Sequence, residues 1–195
     1  MDSYFKKGIT YSFEGKTFEF GVTESLFSTF NIDHGTDILL RSITHDNPKT
    51  ILDLGCGYGP LGIMLASKYP ESSVTLTDRD LLAVRYSQIN IERNNIKNAT
   101  VLGSLGFEQI KDDSYDLIVS NIPAKIGEDA ITSEFFLEPT KHLNVGGTYW
   151  FVIVTALNHL LIRVSKKSDL KFHEIRKRRG HIVYKFCRTS NTASA

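Results

Sequence analysis

Along this chain the spacing of apolar positions switches repeatedly between a period of two and a period near three and a half. Ile9 to Val22 alternates and is rich in β-branched and aromatic residues; Glu14-Gly15-Lys16 interrupts it as a turn would, so a β-hairpin is predicted. Within Phe27 to Ile43 a helix is expected, with Asp33 or Thr36 as its N-cap and Ile38, Leu39 and Ile43 on its apolar face. Thr50 to Leu54 is a short apolar strand that runs into a glycine-rich loop, and Pro60 stands where a first helical turn tolerates proline. The two periods then alternate. Strands are predicted at Ser73 to Thr77, Thr100 to Leu102, Tyr115 to Ser120 and Thr148 to Thr155. Helices are predicted at Leu81 to Asn94, at Glu128 to Leu143 with a break near Pro139, and around Ala156 to Val164. Leu170 to Arg176 and His181 to Arg188 close the sheet as two last strands joined near Gly180. Repeated strand–helix units imply an α/β fold, a doubly wound and mainly parallel sheet with helices on both faces.

The chain has 195 residues, a length that suits one domain. Residues 1–48 are expected to form a hairpin and helix extension, 49–188 the catalytic core and 189–195 a frayed tail of small polar residues. The longest apolar stretch, Trp150 to Ile162, is too short to span a bilayer and is interrupted by Asn158 and His159. Met1 to Thr10 lacks the apolar core of a secretion signal. Cys56 and Cys187 make no disulfide framework and read as buried thiols, so a cytoplasmic location is expected. The net charge of +1 hides an asymmetry. Residues 163 to 188 carry ten Lys or Arg against Asp169 and Glu174, a balance of +8, and leave the remainder at −7. Such a basic end fits a polyanionic partner, with a solvated hairpin as the plainer alternative. The densest run is Arg176-Lys177-Arg178-Arg179.

The strongest local signal is Leu52-Asp53-Leu54-Gly55-Cys56-Gly57-Tyr58-Gly59-Pro60-Leu61-Gly62. Glycines at 55, 57 and 59 leave room for a ligand against bare backbone at the carboxyl edge of a parallel sheet. Asp78, at the end of the next strand, can take both hydroxyls of a ribose, and Asp80 is placed to cap the following helix. Gly57, Gly59 and Gly62 also satisfy G-x-G-x-x-G, so the loop alone does not separate a dinucleotide from other adenosine cofactors. A second constellation follows a later strand: Asn121-Ile122-Pro123-Ala124. The Asn121 oxygen and a neighbouring backbone carbonyl can accept both protons of an exocyclic amine and aim its lone pair at a methyl donor. A plain turn is the alternative. The six histidines form no metal-binding spacing, and His34 and His181 read as surface or hydrogen-bonding residues. Trp150 reads as core; Tyr58 suits either packing or cofactor contact.

Taken together, DLGCGYGPLG, Asp78 and NIPAKIG resemble the methyltransferase small domain family, whose best-known members methylate the N2 amine of guanine in small-subunit ribosomal RNA. Phe27-Ser28 and Asp33-His34-Gly35-Thr36 resemble the segment that family folds over the methionine part of its cofactor. The resemblance covers residues 15 to 188 and implies a seven-stranded, Rossmann-like methyltransferase fold using S-adenosylmethionine rather than NAD. It implies cofactor contacts from Phe27, Ser28, Gly35, Thr36, Asp53, Gly55, Cys56, Gly57, Gly59, Asp78, Arg79, Ser104, Leu105 and Asn121. Asn121, Ile122, Pro123 and Ala124 are implied as the amine site, with structured RNA as partner through Arg176 to Arg179. Three positions depart from the family. Ile122 replaces a proline, Ala124 replaces a large apolar or aromatic residue, and Leu105 stands where relatives carry an acid near the adenine amine. A small molecule or protein substrate, or an RNA-binding module that keeps only the cofactor pocket, remain alternatives at this point.

Overall fold

The computed structural model describes residues 6–23, 32–110 and 114–190. Its first two strands, β1 (Lys7–Phe13) and β2 (Lys16–Val22), pair antiparallel as the expected hairpin. Seven further strands form one sheet: β3 (Thr50–Leu54), β4 (Ser73–Asp78), β5 (Ala99–Gly103), β6 (Tyr115–Asn121), β7 (Leu143–Val154), β8 (His173–Arg178) and β9 (His181–Cys187). Their spatial order is β5-β4-β3-β6-β7-β9-β8. The first five run parallel, and β9 lies antiparallel between β7 and β8.

Period-two patterning splits the core in two. Ile51, Leu117, Val119, Trp150 and Val152 face one side, where they meet the hairpin, α1 (His34–Leu40), α2 (Pro60–Lys68) and α3 (Leu81–Arg93). Leu52, Ile118, Tyr149, Phe151 and Ile153 face the other, against the helical stretch 128–141 and α6 (Asn158–Ser168). Alternate residues of the same strands thus fill opposite layers, as a doubly wound sheet requires. Asp33 caps α1, accepting the Gly35 N–H at 2.9 Å, and Asp80 caps α3, accepting the Leu82 N–H at 2.9 Å. Pro60 is the first residue of α2.

Several expectations need correction. Pro139 does not break its helix. The stretch runs as α4 (Glu128–Ala130), a π-helical segment (Ile131–Leu137) and α5 (Glu138–Lys141). Proline has no N–H for the carbonyl four residues back, and the Tyr149 hydroxyl donates to that Phe135 carbonyl at 2.9 Å instead. β7 begins at Leu143, five residues before the predicted start, because Leu143 already pairs with Tyr115 across a register shift. β8 begins later than predicted, so Arg176, Lys177 and Arg178 lie in the strand and only Arg179 and Gly180 make the turn. Cys56 is buried but Cys187, at the end of β9, is exposed. Trp150 is core, as expected. Among the described residues no helix is long and apolar enough to cross a membrane.

The chain order places the site. β4 and β5 extend from one side of β3, and β6 lies on the other. Loops leaving β3 and β6 therefore diverge at the carboxyl edge and open a crevice between them, the usual ligand position in such sheets.

Candidate active site

The glycine loop forms one wall of that crevice. Gly55, Gly57 and Gly59 have φ of 72°, 59° and 89°, a left-handed run that side chains resist. The N–H groups of Gly55 and Cys56 both donate to the Thr77 carbonyl at 2.9 Å, pinning the loop to the end of β4. Helix α3 braces it from behind. The Ser87 hydroxyl donates to the Gly57 carbonyl at 2.9 Å, and the Asn90 amide donates to the Tyr58 carbonyl at 2.9 Å. Asn90 also accepts the Gly21 N–H at 2.7 Å and donates to the Gly21 carbonyl at 3.1 Å, which ties the hairpin into the same network. Both side chains are fully buried. Their signal in the sequence is faint: two polar residues three apart on a helix face otherwise headed for the core.

Two carboxyl groups stand in this wall without an ion-pair partner among the described residues. Asp53 is buried and accepts the Gly62 N–H at 2.7 Å. Burial, and secondarily the nearby Asp78 charge, push its pKa up to about 7 against the one backbone hydrogen bond. Asp78 accepts from Gly57 N–H at 2.8 Å and Asp80 N–H at 2.9 Å, and burial holds its pKa above the ordinary range as well. Buried carboxyl groups without a cationic partner favour a ligand that brings positive charge or hydroxyl donors. They fit S-adenosylmethionine, with its ammonium and sulfonium charges and its ribose hydroxyls. The Thr77 hydroxyl, buried and without a partner among the described residues, adds a polar group to the same wall.

The Asp53 environment makes a stability prediction for the free chain. Between pH 4 and pH 7 folded Asp53 keeps a proton that the unfolded chain has released, so its contribution falls as pH rises through that window and is fully unfavourable above it. Asp53→Asn keeps an acceptor for Gly62 and removes the charge. Its unfolding free energy from urea titration at pH 8 should exceed that of the unsubstituted chain by at most about 4 kcal/mol, and the gap should vanish near pH 4. Equal unfolding free energies across the range would show that Asp53 carries no such penalty.

Asn121 ends β6 on the opposite wall. Its amide nitrogen donates to Asp33 Oδ2 at 2.8 Å and to the Thr36 hydroxyl at 3.0 Å. Both amide protons are consumed, so the side-chain oxygen is the atom left to accept. The Ser120 hydroxyl donates to the Leu54 carbonyl at 2.8 Å and fixes the ends of β6 and β3 together. Gly35 is what lets α1 come this close. A Cβ there would sit 2.8 Å from Asp33 Oδ2, 3.1 Å from His181 Cδ2 and 3.2 Å from Asn121 Oδ1.

A cavity of about 660 Å³ joins the two walls. Of the expected residues it brings together Thr36, Asp53, Gly55, Cys56, Gly57, Asp78, Arg79, Ser104 and Asn121 to Ala124. Gly35 lies behind the wall. Gly59 serves the turn, its N–H donating to the Cys56 carbonyl at 3.0 Å. Leu105 is 47% exposed and stands outside the cavity lining, where Ser104 and Gly106 take its place. The Ser104 hydroxyl is engaged internally, donating to the Gly106 carbonyl at 2.9 Å. Phe27 and Ser28 lie outside the described residues. Tyr58 lines the cavity and packs edge-on against Phe20. The sequence pattern missed Asp33 as the holder of Asn121, and it missed Glu134, Phe135 and His181 in the lining. No group of three metal-ligating side chains is arranged around an ion among the described residues.

Comparison with known proteins identifies the family. A family model described as methyltransferase small domain matches residues 17–185. The chain is 32% identical over 148 residues to the uncharacterized protein YbxB of Bacillus subtilis, covering 74% of this chain and 73% of that one. It is 35% identical over 126 residues to ribosomal RNA small subunit methyltransferase C of Haemophilus ducreyi, covering 62% of this chain and 38% of that one. The chain thus spans under two fifths of the length of that relative. Among solved structures, the T. thermophilus 16S rRNA N2 G1207 methyltransferase (RsmC), in complex with AdoMet and guanosine, superposes with a TM-score of 0.81 at 24% identity. That match covers 95% of this chain and 51% of the other, and it establishes the fold. Since the family match runs through both walls of the cavity and a relative of comparable span shares about a third of its residues, the chain belongs to the methyltransferase small domain family of S-adenosylmethionine-dependent methyltransferases.

Proposed function

We propose that this chain transfers the methyl group of S-adenosylmethionine to the N2 amine of a guanine in small-subunit ribosomal RNA. The observation that carries the reading is Asn121, whose two amide protons are held by Asp33 and Thr36 so that its oxygen faces the task of accepting. When bound, the cofactor supplies an electrophilic methyl group. Asp78 takes the ribose hydroxyls, and Asp53 with the glycine loop takes the methionine end. The Asn121 oxygen and a backbone carbonyl of the Ile122–Pro123 turn accept the two amine protons, which fixes the nitrogen lone pair in line with the methyl carbon. Ile122 is buried and its N–H donates to the Val152 carbonyl at 3.0 Å, so the turn is anchored although its second residue is not proline. Relatives named as ribosomal RNA methyltransferases support the substrate.

Edge strand β8 supports an RNA partner. Every residue of His173–Arg178 is exposed, and Arg176, Lys177, Arg178 and Arg179 lead directly to His181 in the cavity wall. If these four contact phosphates, neutralising them together should reduce the slope of log affinity against log salt by about 3, and leave cofactor affinity unchanged. A slope that stays the same would remove the strand from the RNA interface.

The substrate class is tested by offering methyl-labelled cofactor separately to small-subunit RNA, to total protein and to metabolites. Label in the RNA alone is expected. Label in protein or metabolites instead would overturn the reading.

A further inference from the structure

We infer that His181 is the proton acceptor of the reaction, a role that rests on the amine-methylation reading above. Its ring lines the cavity beside Asn121: His181 Cδ2 and Asn121 Oδ1 lie 3.1 Å and 3.2 Å from the one point where a Gly35 Cβ would stand. The fold brings it there because β9 runs antiparallel to β7. Its first residue, His181, pairs with the last of β7, Val154, at the carboxyl edge of the parallel strands.

The tautomer follows from the hydrogen bond. His181 Nδ1 lies 3.1 Å from the Arg179 carbonyl, which can only accept, so Nδ1 carries the proton. Nε2, next to Cδ2, then holds the lone pair, and it has no hydrogen-bond partner among the described residues. The His34 ring meets the His181 ring edge to face at 5.6 Å and backs it from α1. Among the described residues, charged and titratable groups near the ring are His34 of α1, Asp33 at its N-cap, Arg178 across the strand pair and Arg179 in the turn; the paired residue of β7 is Val154.

The step balances as follows. The amine nitrogen forms a bond to the methyl carbon while the sulfur–methyl bond breaks, and sulfur keeps that electron pair as a neutral thioether. The nitrogen, now cationic with two protons and a methyl group, loses the proton held by the Asn121 oxygen to His181 Nε2 through one water. The imidazolium then releases it to solvent.

His181→Phe keeps an aromatic ring of similar shape and removes the base. Its kcat should fall by about 10²-fold, in the range of a lost general base, with cofactor affinity unchanged. The acidic limb of the kcat–pH profile should disappear. An unaltered kcat with the limb intact would overturn the inference. Should that variant fail to fold, His181→Ala serves: added imidazole should raise its rate, and an unsubstituted rate without imidazole would overturn the inference. Nitrogen-15 shifts of the unsubstituted chain test the tautomer without any substrate. Nε2 should be the unprotonated nitrogen, and an Nε2–H tautomer would overturn the assignment. An unsubstituted chain that methylates no RNA overturns the substrate reading, while the tautomer result still decides His181.

Discussion

Asn121→Ala is expected to lower the methylation rate by about 10²-fold or more, the range seen when one positioned polar group is lost from an active site, with cofactor affinity nearly intact. The amine protons become more acidic as the nitrogen attacks. The Asn121 oxygen therefore bonds more strongly in the transition state than in the bound substrate, the condition for a residue to raise turnover. Asn121→Asp is the sharper probe. Judged from the sequence, it keeps an acceptor and some activity. In the structure the lost amide protons leave a carboxylate against Asp33 Oδ2, which Asn121 now meets at 2.8 Å, so the aspartate variant should be no better than alanine. Pairing it with Asp33→Asn restores a donor opposite an acceptor and should recover part of the loss. Single-turnover rates with saturating cofactor check both. An alanine variant at the unsubstituted rate would remove Asn121 from the mechanism.

Asp78→Ala is expected to weaken S-adenosylmethionine binding by about tenfold to a hundredfold, as a charged hydrogen-bond partner worth about 1.5–3 kcal/mol is lost. The side chain does two things at once. It offers acceptors to the ribose, and it holds the Gly57 N–H of the glycine loop at 2.8 Å. Asp78→Asn keeps an acceptor for Gly57, so it should lose less than alanine. Calorimetry on the two variants measures the difference. Unchanged affinity in Asp78→Ala would show that the ribose binds elsewhere.

Much of this architecture was legible along the chain because strand and helix periods alternate cleanly. Asp53, the glycine loop and Asp78 sit on consecutive strands whose ends a doubly wound sheet must bring together. Asp80 and Pro60 announced their helices by local chemistry alone. Asp33 was legible as a cap but not as the partner of Asn121, 88 residues away, since a cap uses one oxygen's worth of local geometry and the second bond is tertiary. His181 was illegible for a topological reason: its place at the active edge depends on β9 turning antiparallel beside β7, which no local pattern encodes. The helix at 128–141 survived Pro139 because a π-helical segment and a tyrosine hydroxyl absorb the missing N–H. The family resemblance assigned Leu105 to the cofactor, yet the turn there presents Ser104 and Gly106 to the cavity and leaves Leu105 facing outward.

Nucleoside analysis of the methylated RNA tests the central claim most directly. Small-subunit RNA incubated with the chain and labelled S-adenosylmethionine is digested to nucleosides and separated. The label should elute with N2-methylguanosine and should be absent when Asn121→Ala replaces the unsubstituted chain at equal time. Label on a ring nitrogen, a ribose oxygen or another base, or none in RNA at all, would contradict the account.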